Sequence, residues 1–166
     1  MKRTVLTYGL ISGVIAAVLL LIHVPFMDGG TRALILGYTG IVLSALLVFF
    51  GVRSYRENVG NGKISFGRAF GVGILIAVIS AACYVAAWEV VYYSSPGIAD
   101  HVFDKQVEDL RAKGAPQAEI DAAAVQVASF KKLYANPLVN VAFTFIEPFP
   151  VGVLVTLISA VVLRRR

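Results

Sequence analysis

Asn136-Pro137-Leu138-Val139-Asn140-Val141-Ala142-Phe143-Thr144-Phe145-Ile146-Glu147-Pro148-Phe149-Pro150-Val151-Gly152-Val153-Leu154-Val155-Thr156-Leu157-Ile158-Ser159-Ala160-Val161-Val162-Leu163 runs into Arg164-Arg165-Arg166. Between Pro137 and Leu163 the only charged residue is Glu147. At about 1.5 Å per helical residue the run exceeds the roughly 30 Å of a bilayer core. It therefore predicts a membrane-spanning helix with a basic stop, and with an acid beside two prolines partway along.

Composition extends this reading to the whole chain. Of 166 residues, 58% are hydrophobic and 15% charged, and mean hydropathy is +0.78. A soluble domain carries about a quarter charged residues, so this chain has too few to coat a water-facing surface. The formal charge of +5 is small, and no basic stripe alternates with aromatics, so a nucleic-acid partner is not expected. Cys83 is the single cysteine, which leaves neither a disulfide nor a cysteine metal site.

Four spans are expected, at about residues 4–24, 33–52, 66–94 and 137–163, within a single membrane domain covering 1–166. Lys2-Arg3 precede the first apolar run, which is longer than the roughly 7–15 residues of a signal-peptide core and is followed by no small-x-small cleavage site. Pro25 ends it, and the polar stretch 27–32 makes a short turn. Small residues recur at four-residue spacing in every span: Gly9, Gly13 and Ala17; Gly40 and Ser44; Gly73, Ala77 and Ala81; Gly152, Thr156 and Ala160. Such spacing lets neighbouring backbones approach closely, which is how helices associate in lipid. Trp88, Tyr92 and Tyr93 mark where the third span meets the headgroups. The expected fold is thus an all-α integral membrane protein, a four-helix transmembrane bundle.

Residues 97–135 differ in composition. Phe103, Val107 and Leu110 fall on one helical face; after Gly114-Ala115-Pro116, Ile120, Ala124, Val127 and Leu133 fall on another. The segment predicts an amphipathic two-helix insert that lies on the membrane surface or caps the bundle as a solvated lid. Lys2, Arg3, Arg53, Arg56, Lys63, Arg68 and Arg164 to Arg166 fall on one side, against Arg32 and the five bases of the insert. By the positive-inside rule both termini are cytoplasmic and the insert is extracytoplasmic.

The acids within spans are Glu147 and Glu89. Glu147 lies roughly 25 Å above the basic end and Glu89 roughly 31 Å above Arg68, with His23 at a similar height on the first span. All three could meet in one polar pocket. Pro148 and Pro150 have no N–H, which frees the carbonyls of Thr144 and Ile146. An acid beside freed carbonyls is open to three readings: a protonated group that stabilises a kink, a contact with lipid or a partner, or a site for proton or cation coupling as in transporters with broken helices. His23, Glu89 and Glu147 have no metal-ligand spacing, so no metal is expected. No cofactor motif and no nucleophile with an adjacent base stands out, so an enzyme is not expected. Arg53, Arg56, Lys63 and Arg68 suit either topology determination or contact with anionic lipid headgroups.

Several stretches resemble a known family. They are Phe50-Gly51-Val52-Arg53-Ser54-Tyr55-Arg56, Gly62-Lys63-Ile64-Ser65-Phe66-Gly67-Arg68-Ala69-Phe70, Lys132-Leu133-Tyr134-Ala135-Asn136-Pro137, Glu147-Pro148-Phe149-Pro150-Val151-Gly152, and Ser159-Ala160 before the arginines. In that order they resemble bacterial four-span membrane proteins grouped as domain of unknown function 4199. The resemblance implies four spans and an extracytoplasmic helical insert, and brings no activity, cofactor or catalytic residue. The expected role is a non-enzymatic bacterial inner-membrane module that binds lipid, another membrane protein or itself; the alternative is a proton- or cation-coupled transporter subunit using Glu147.

Overall fold

The computed structural model describes residues 1–27 and 31–165. Four helical runs are long and apolar enough to cross a membrane, with mean hydropathies of 2.5, 2.3, 2.3 and 2.1. The first is α1 (Lys2–His23), which ends in a 3-10 turn over Val24–Phe26 begun by Pro25. Much of the turn expected at 27–32 lies outside the described residues. The second and third are α2 (Thr31–Asn58) and α3 (Phe66–Ser94). The hairpin is α4 (Ile98–Ala112) and α5 (Gln117–Tyr134). The last span is divided into α6 (Pro137–Ile146) and α7 (Phe149–Leu163).

One boundary differs from the sequence reading. The second helix does not stop at Val52 but runs six residues further, through Arg53 and Arg56 to Asn58. Hydropathy marks where a helix leaves hydrocarbon, whereas the helix continues as long as its hydrogen bonds do. Here Arg53 pairs with Glu57 one turn on, at 2.9 Å, an arrangement that supports an exposed helical end. The connector shrinks to residues 59–65 and turns at Asn61 and Gly62, whose φ values of 49° and 81° are left-handed. Gly is at ease there and Asn is the side chain that tolerates it best. Ser65 then caps α3 by accepting from the Arg68 N–H.

The third span is the axis of the bundle. Half of its most apolar window is buried, against 33%, 28% and 28% for the other three. The small-residue faces lie where it meets its neighbours. A methyl group added to Gly9 would come within 2.9 Å of Ile79, and one on Gly13 within 2.6 Å of Cys83. On the other side Gly73 meets Thr156 and Gly152 meets Ala77. Ser12 Oγ donates to the Ser44 carbonyl (2.8 Å) and lies 2.9 Å from Ser80 Oγ. With its one proton used, Ser12 accepts from Ser80. That buried node ties α1, α2 and α3 together. Outside it, Leu6, Leu10, Leu21, Leu34, Leu36 and Ile158 are exposed, a surface that suits lipid rather than water.

The two ends differ. At one, Ile64 and Arg165 exchange both backbone hydrogen bonds, at 3.0 Å each, so the α2–α3 connector is clipped to the residue pair after α7. Val5, Val52, Tyr55 and Leu163 pack in the same cluster, and all the bases assigned to one side gather there, apart from Arg166, which lies outside the described residues. At the other end, Ala99 and Tyr134 of the hairpin pack with Trp88, Tyr84 and Leu20.

The hairpin has its own small core of Val107, Ile120 and Val127, with Phe103 and Leu110 against it. Its two helices thus face each other, and Lys131 joins them by pairing with Asp104 (2.8 Å) and Asp100 (3.4 Å). These acids hold the Lys131 ammonium above its ordinary pKa, chiefly through the hydrogen bond that Lys131 donates to Asp104. Leu133, expected on the apolar face, is exposed at 49%. Buried positions on α5 recur every seven residues, at Ile120, Val127 and Tyr134, which turns Leu133 about 100° away.

The close approach of α1 to α3 makes a measurable demand. Gly13→Leu is expected to destabilise the bundle by about 1–3 kcal/mol through overpacking, read by SDS-induced unfolding in bicelles. Leu10→Ala, on the exposed face of the same helix, should cost much less. Equal losses would contradict the packing described.

Candidate functional site

The site begins with a defect in a helix. Pro148 and Pro150 supply no N–H, so the ladder between α6 and α7 is interrupted at the carbonyls of Thr144 and Ile146. Glu147 closes α6, its N–H donating to the Phe143 carbonyl at 3.2 Å. From that break its side chain meets α3, where Tyr84 donates its hydroxyl to Glu147 Oε2 at 3.1 Å. Tyr84 is buried, whereas Glu147 remains exposed on the flank of the bundle.

A second polar pair lies beside the first. Thr144 Oγ1 donates to Asn140 Oδ1 at 3.2 Å and lies 3.3 Å from the Tyr134 hydroxyl. Thr144 has one proton and spends it on Asn140, so Tyr134 is the donor in that contact. Burial raises the Tyr134 pKa above its ordinary value, which keeps the hydroxyl a neutral donor. Tyr134 is the last residue of α5. The hairpin is thereby pinned onto the broken span by a hydrogen bond as well as by packing.

Between these pairs is a cavity of about 280 Å³, lined among others by Tyr84, Trp88, Phe103, Tyr134, Phe143 and Glu147. Its aromatic wall is continuous. Phe103 meets Phe130 edge-on at 5.1 Å and Tyr134 at 5.2 Å, and Phe130 meets Phe143 at 5.2 Å. Phe103 and Phe130 also border a groove of about 610 Å³ along the hairpin, whose lining includes Ala123, Val127 and Leu133.

Of the three polar residues expected to share a pocket, only Glu147 lines this cavity. His23 stands on α1 beside Gly37 of α2, in a crevice of about 10 Å³ that shares Tyr84 with the cavity. Glu89 is half-buried on α3, and its Oε1 is shielded with no hydrogen-bond partner. The reason is helical phase: Tyr84 and Trp88, four apart, face the cavity, and Glu89 is rotated about 100° from Trp88. Among the described residues no three His, Cys, Asp or Glu side chains come together as a metal site.

The basic set lies at the opposite end of the bundle. Arg53 and Arg56 both pair with Glu57, at 2.9 and 3.2 Å, Lys63 follows the connector turn, and Arg68 stands in the first turn of α3. Sequence reasoning missed Tyr84, Tyr134, Thr144 and Asn140. A signal was present for two of them, since Asn140, Thr144 and Glu147 fall at i, i+4 and i+7 on one face of an otherwise apolar span.

The Tyr84–Glu147 pair can be weighed by a double-mutant cycle of Tyr84→Phe and Glu147→Gln. A coupling of about 0.6–1.7 kcal/mol is expected, the range for hydrogen bonds between spans, by SDS unfolding. Simple additivity would show that the two side chains do not act together.

No curated protein and no solved structure matches the chain. A family model does, one described as a protein of unknown function (DUF4199), and since it matches residues 7–165, nearly the whole chain with all four spans and the broken helix, the protein belongs to that family.

Proposed function

We propose that this protein is a non-enzymatic membrane module that binds a lipid between its hairpin and its bundle. The observation that carries the reading is the aromatic cavity of about 280 Å³ under the hairpin, adjoining the larger hairpin groove through Phe103 and Phe130. An amphiphile needs an apolar channel for its chain and a pocket with a few polar groups for its head. Glu147 is exposed beside Phe143 and Ile146, which are also exposed on α6, so the cavity communicates with the lipid-facing flank.

Catalysis has little support from the same residues. Thr144, the hydroxyl nearest in kind to a nucleophile, spends its proton on an amide that cannot act as a base. Coupled transport has less support, since Ile41, Val48 and Ile76 are fully buried in the bundle interior. The charge distribution supports a bacterial inner membrane location with both termini cytoplasmic and the hairpin outside. The basic end would then rest against anionic headgroups, which adds to anchoring.

Native mass spectrometry of the full chain released from membrane-derived nanodiscs tests the binding role. One lipid adduct per chain is expected, and Val102→Trp, which fills the cavity wall, should abolish it. A bare chain, or an adduct indifferent to that substitution, would overturn the reading. The topology has its own test: tags at both termini should be shielded from external protease in intact cells, and a tag in the α4–α5 turn should be cut.

A further inference from the structure

Among the described residues Glu147 is the one carboxylate lining the cavity, and no described basic side chain lines it. In the hairpin, Lys131 is held by Asp104 and Asp100. A carboxylate at membrane depth calls for a partner of opposite charge, and among the described residues the partner it finds is the Tyr84 hydroxyl, on one of its two oxygens. Around it stand six aromatic residues: Tyr84, Trp88, Phe103, Phe130, Tyr134 and Phe143. Aromatic faces attract cations through the negative ring quadrupole, and cages of this composition are the usual receptors for substituted ammonium groups.

We propose that the cavity under the hairpin is a binding site for a substituted ammonium group, with Glu147 as its counter-ion and the aromatic wall as its cage. This deepens the lipid-binding reading and rests on it for the source of the ligand. Tyr84 donates to Oε2, which fixes the carboxylate and leaves Oε1 to meet the ammonium. Tyr134 spends its proton on Thr144 and Thr144 spends its own on Asn140, so these two hydroxyls present oxygen lone pairs, not donors, to whatever occupies the space. With Glu147 as the carboxylate of its described lining, the cavity suits a positively charged or alkylated head, while the Trp88 indole N–H, which has no hydrogen-bond partner among the described residues, is left as a donor for an acceptor atom on the same ligand. Its volume, about 280 Å³, lies just below the roughly 300–1,000 Å³ of sites that enclose whole ligands. It fits a headgroup whose chains lie elsewhere, and the adjoining groove offers them a place.

Two sources carry this chemistry, the ethanolamine headgroup of a membrane lipid and a free amine in solution. Trp88 is the only tryptophan in the chain and lines the cavity, so its fluorescence reports occupancy directly. In detergent, tetramethylammonium chloride and ethanolamine hydrochloride are each titrated against the full chain, with sodium chloride matching the ionic strength. A saturable change with the amines and none with sodium chloride is expected. Glu147→Gln should weaken it on the order of tenfold or more, as loss of a close charge pair does. Phe143→Leu, which keeps the carboxylate and removes one ring, should weaken it by about threefold; this second variant keeps the test open if Glu147→Gln fails to fold.

In parallel, nanodiscs of phosphatidylethanolamine and of phosphatidylglycerol are compared by native mass spectrometry. A preference for the ethanolamine lipid that Glu147→Gln removes supports the lipid source. A response to free amines without any lipid adduct keeps the ammonium site and overturns the lipid-binding reading. Equal adducts from both lipids, unchanged in Glu147→Gln, with no Trp88 response, overturn the ammonium site and leave lipid binding standing.

Discussion

A helix in hydrocarbon gains almost nothing by hiding a leucine from lipid, so the bundle depends on what close backbone approach can supply. That constraint selects α3 as the axis. Its Gly73, Ala77 and Ala81 admit α7 on one side, while Gly9 and Gly13 of α1 let the first span settle against Ile79 and Cys83. Once three backbones are that close, Ser12, Ser44 and Ser80 fall within hydrogen-bond reach. A serine facing lipid would be a cost; a serine at the three-helix seam adds directional contacts where dispersion is already at its best. Many of the large apolar side chains, Leu6, Leu10, Leu34 and Ile158 among them, are left to face outward.

The same economy explains why the polar site lies where it does. A continuous helix satisfies its own backbone and offers nothing to a ligand. At Glu147-Pro148 the ladder fails, and the interruption frees both carbonyls and the direction of a side chain. The break is tolerable because other elements close around it. Tyr84 reaches across from α3, and Tyr134 reaches down from the hairpin to Thr144 one turn before the break. Hairpin and break thus depend on each other: without the hairpin the polar groups of α6 would face open membrane, and without those groups the hairpin would be held by aromatic packing alone.

The four spans and the two hairpin helices were legible in the sequence because hydropathy and periodicity are local properties. The family was legible too, on motifs spread from Phe50 to Ala160. The end of α2 was not, since Arg53, Arg56 and Glu57 look like a polar connector but continue the helix with their own i, i+4 pair. Glu147 stands out in the sequence by its charge and its prolines, and the bases of the connector by their clustering. The partner of Glu147 does not, because Tyr84 is 63 residues away and a tyrosine in a span resembles any interfacial aromatic. Likewise His23 and Glu89 match Glu147 in height but not in rotation about their helices. Depth can be counted along a span; helical phase between spans is set by packing, which no single span contains.

The asymmetry of the two ends then separates two tasks. At the basic end the chain is closed on itself by the Ile64–Arg165 bridge, and the charges there are spread over α1, α2, α3 and the residues after α7. Charge there is carried by many groups, and removing one changes little. At the hairpin end, among the described residues, one carboxylate stands with six rings around the cavity and no basic side chain lines it. Its electrostatics depend on a single residue in surroundings that screen poorly, so a change at Glu147 acts on the whole site. The two ends thus differ in kind: one is closed by backbone pairing with its charge spread over many groups, and the other has its polar character concentrated in one carboxylate at a helix break.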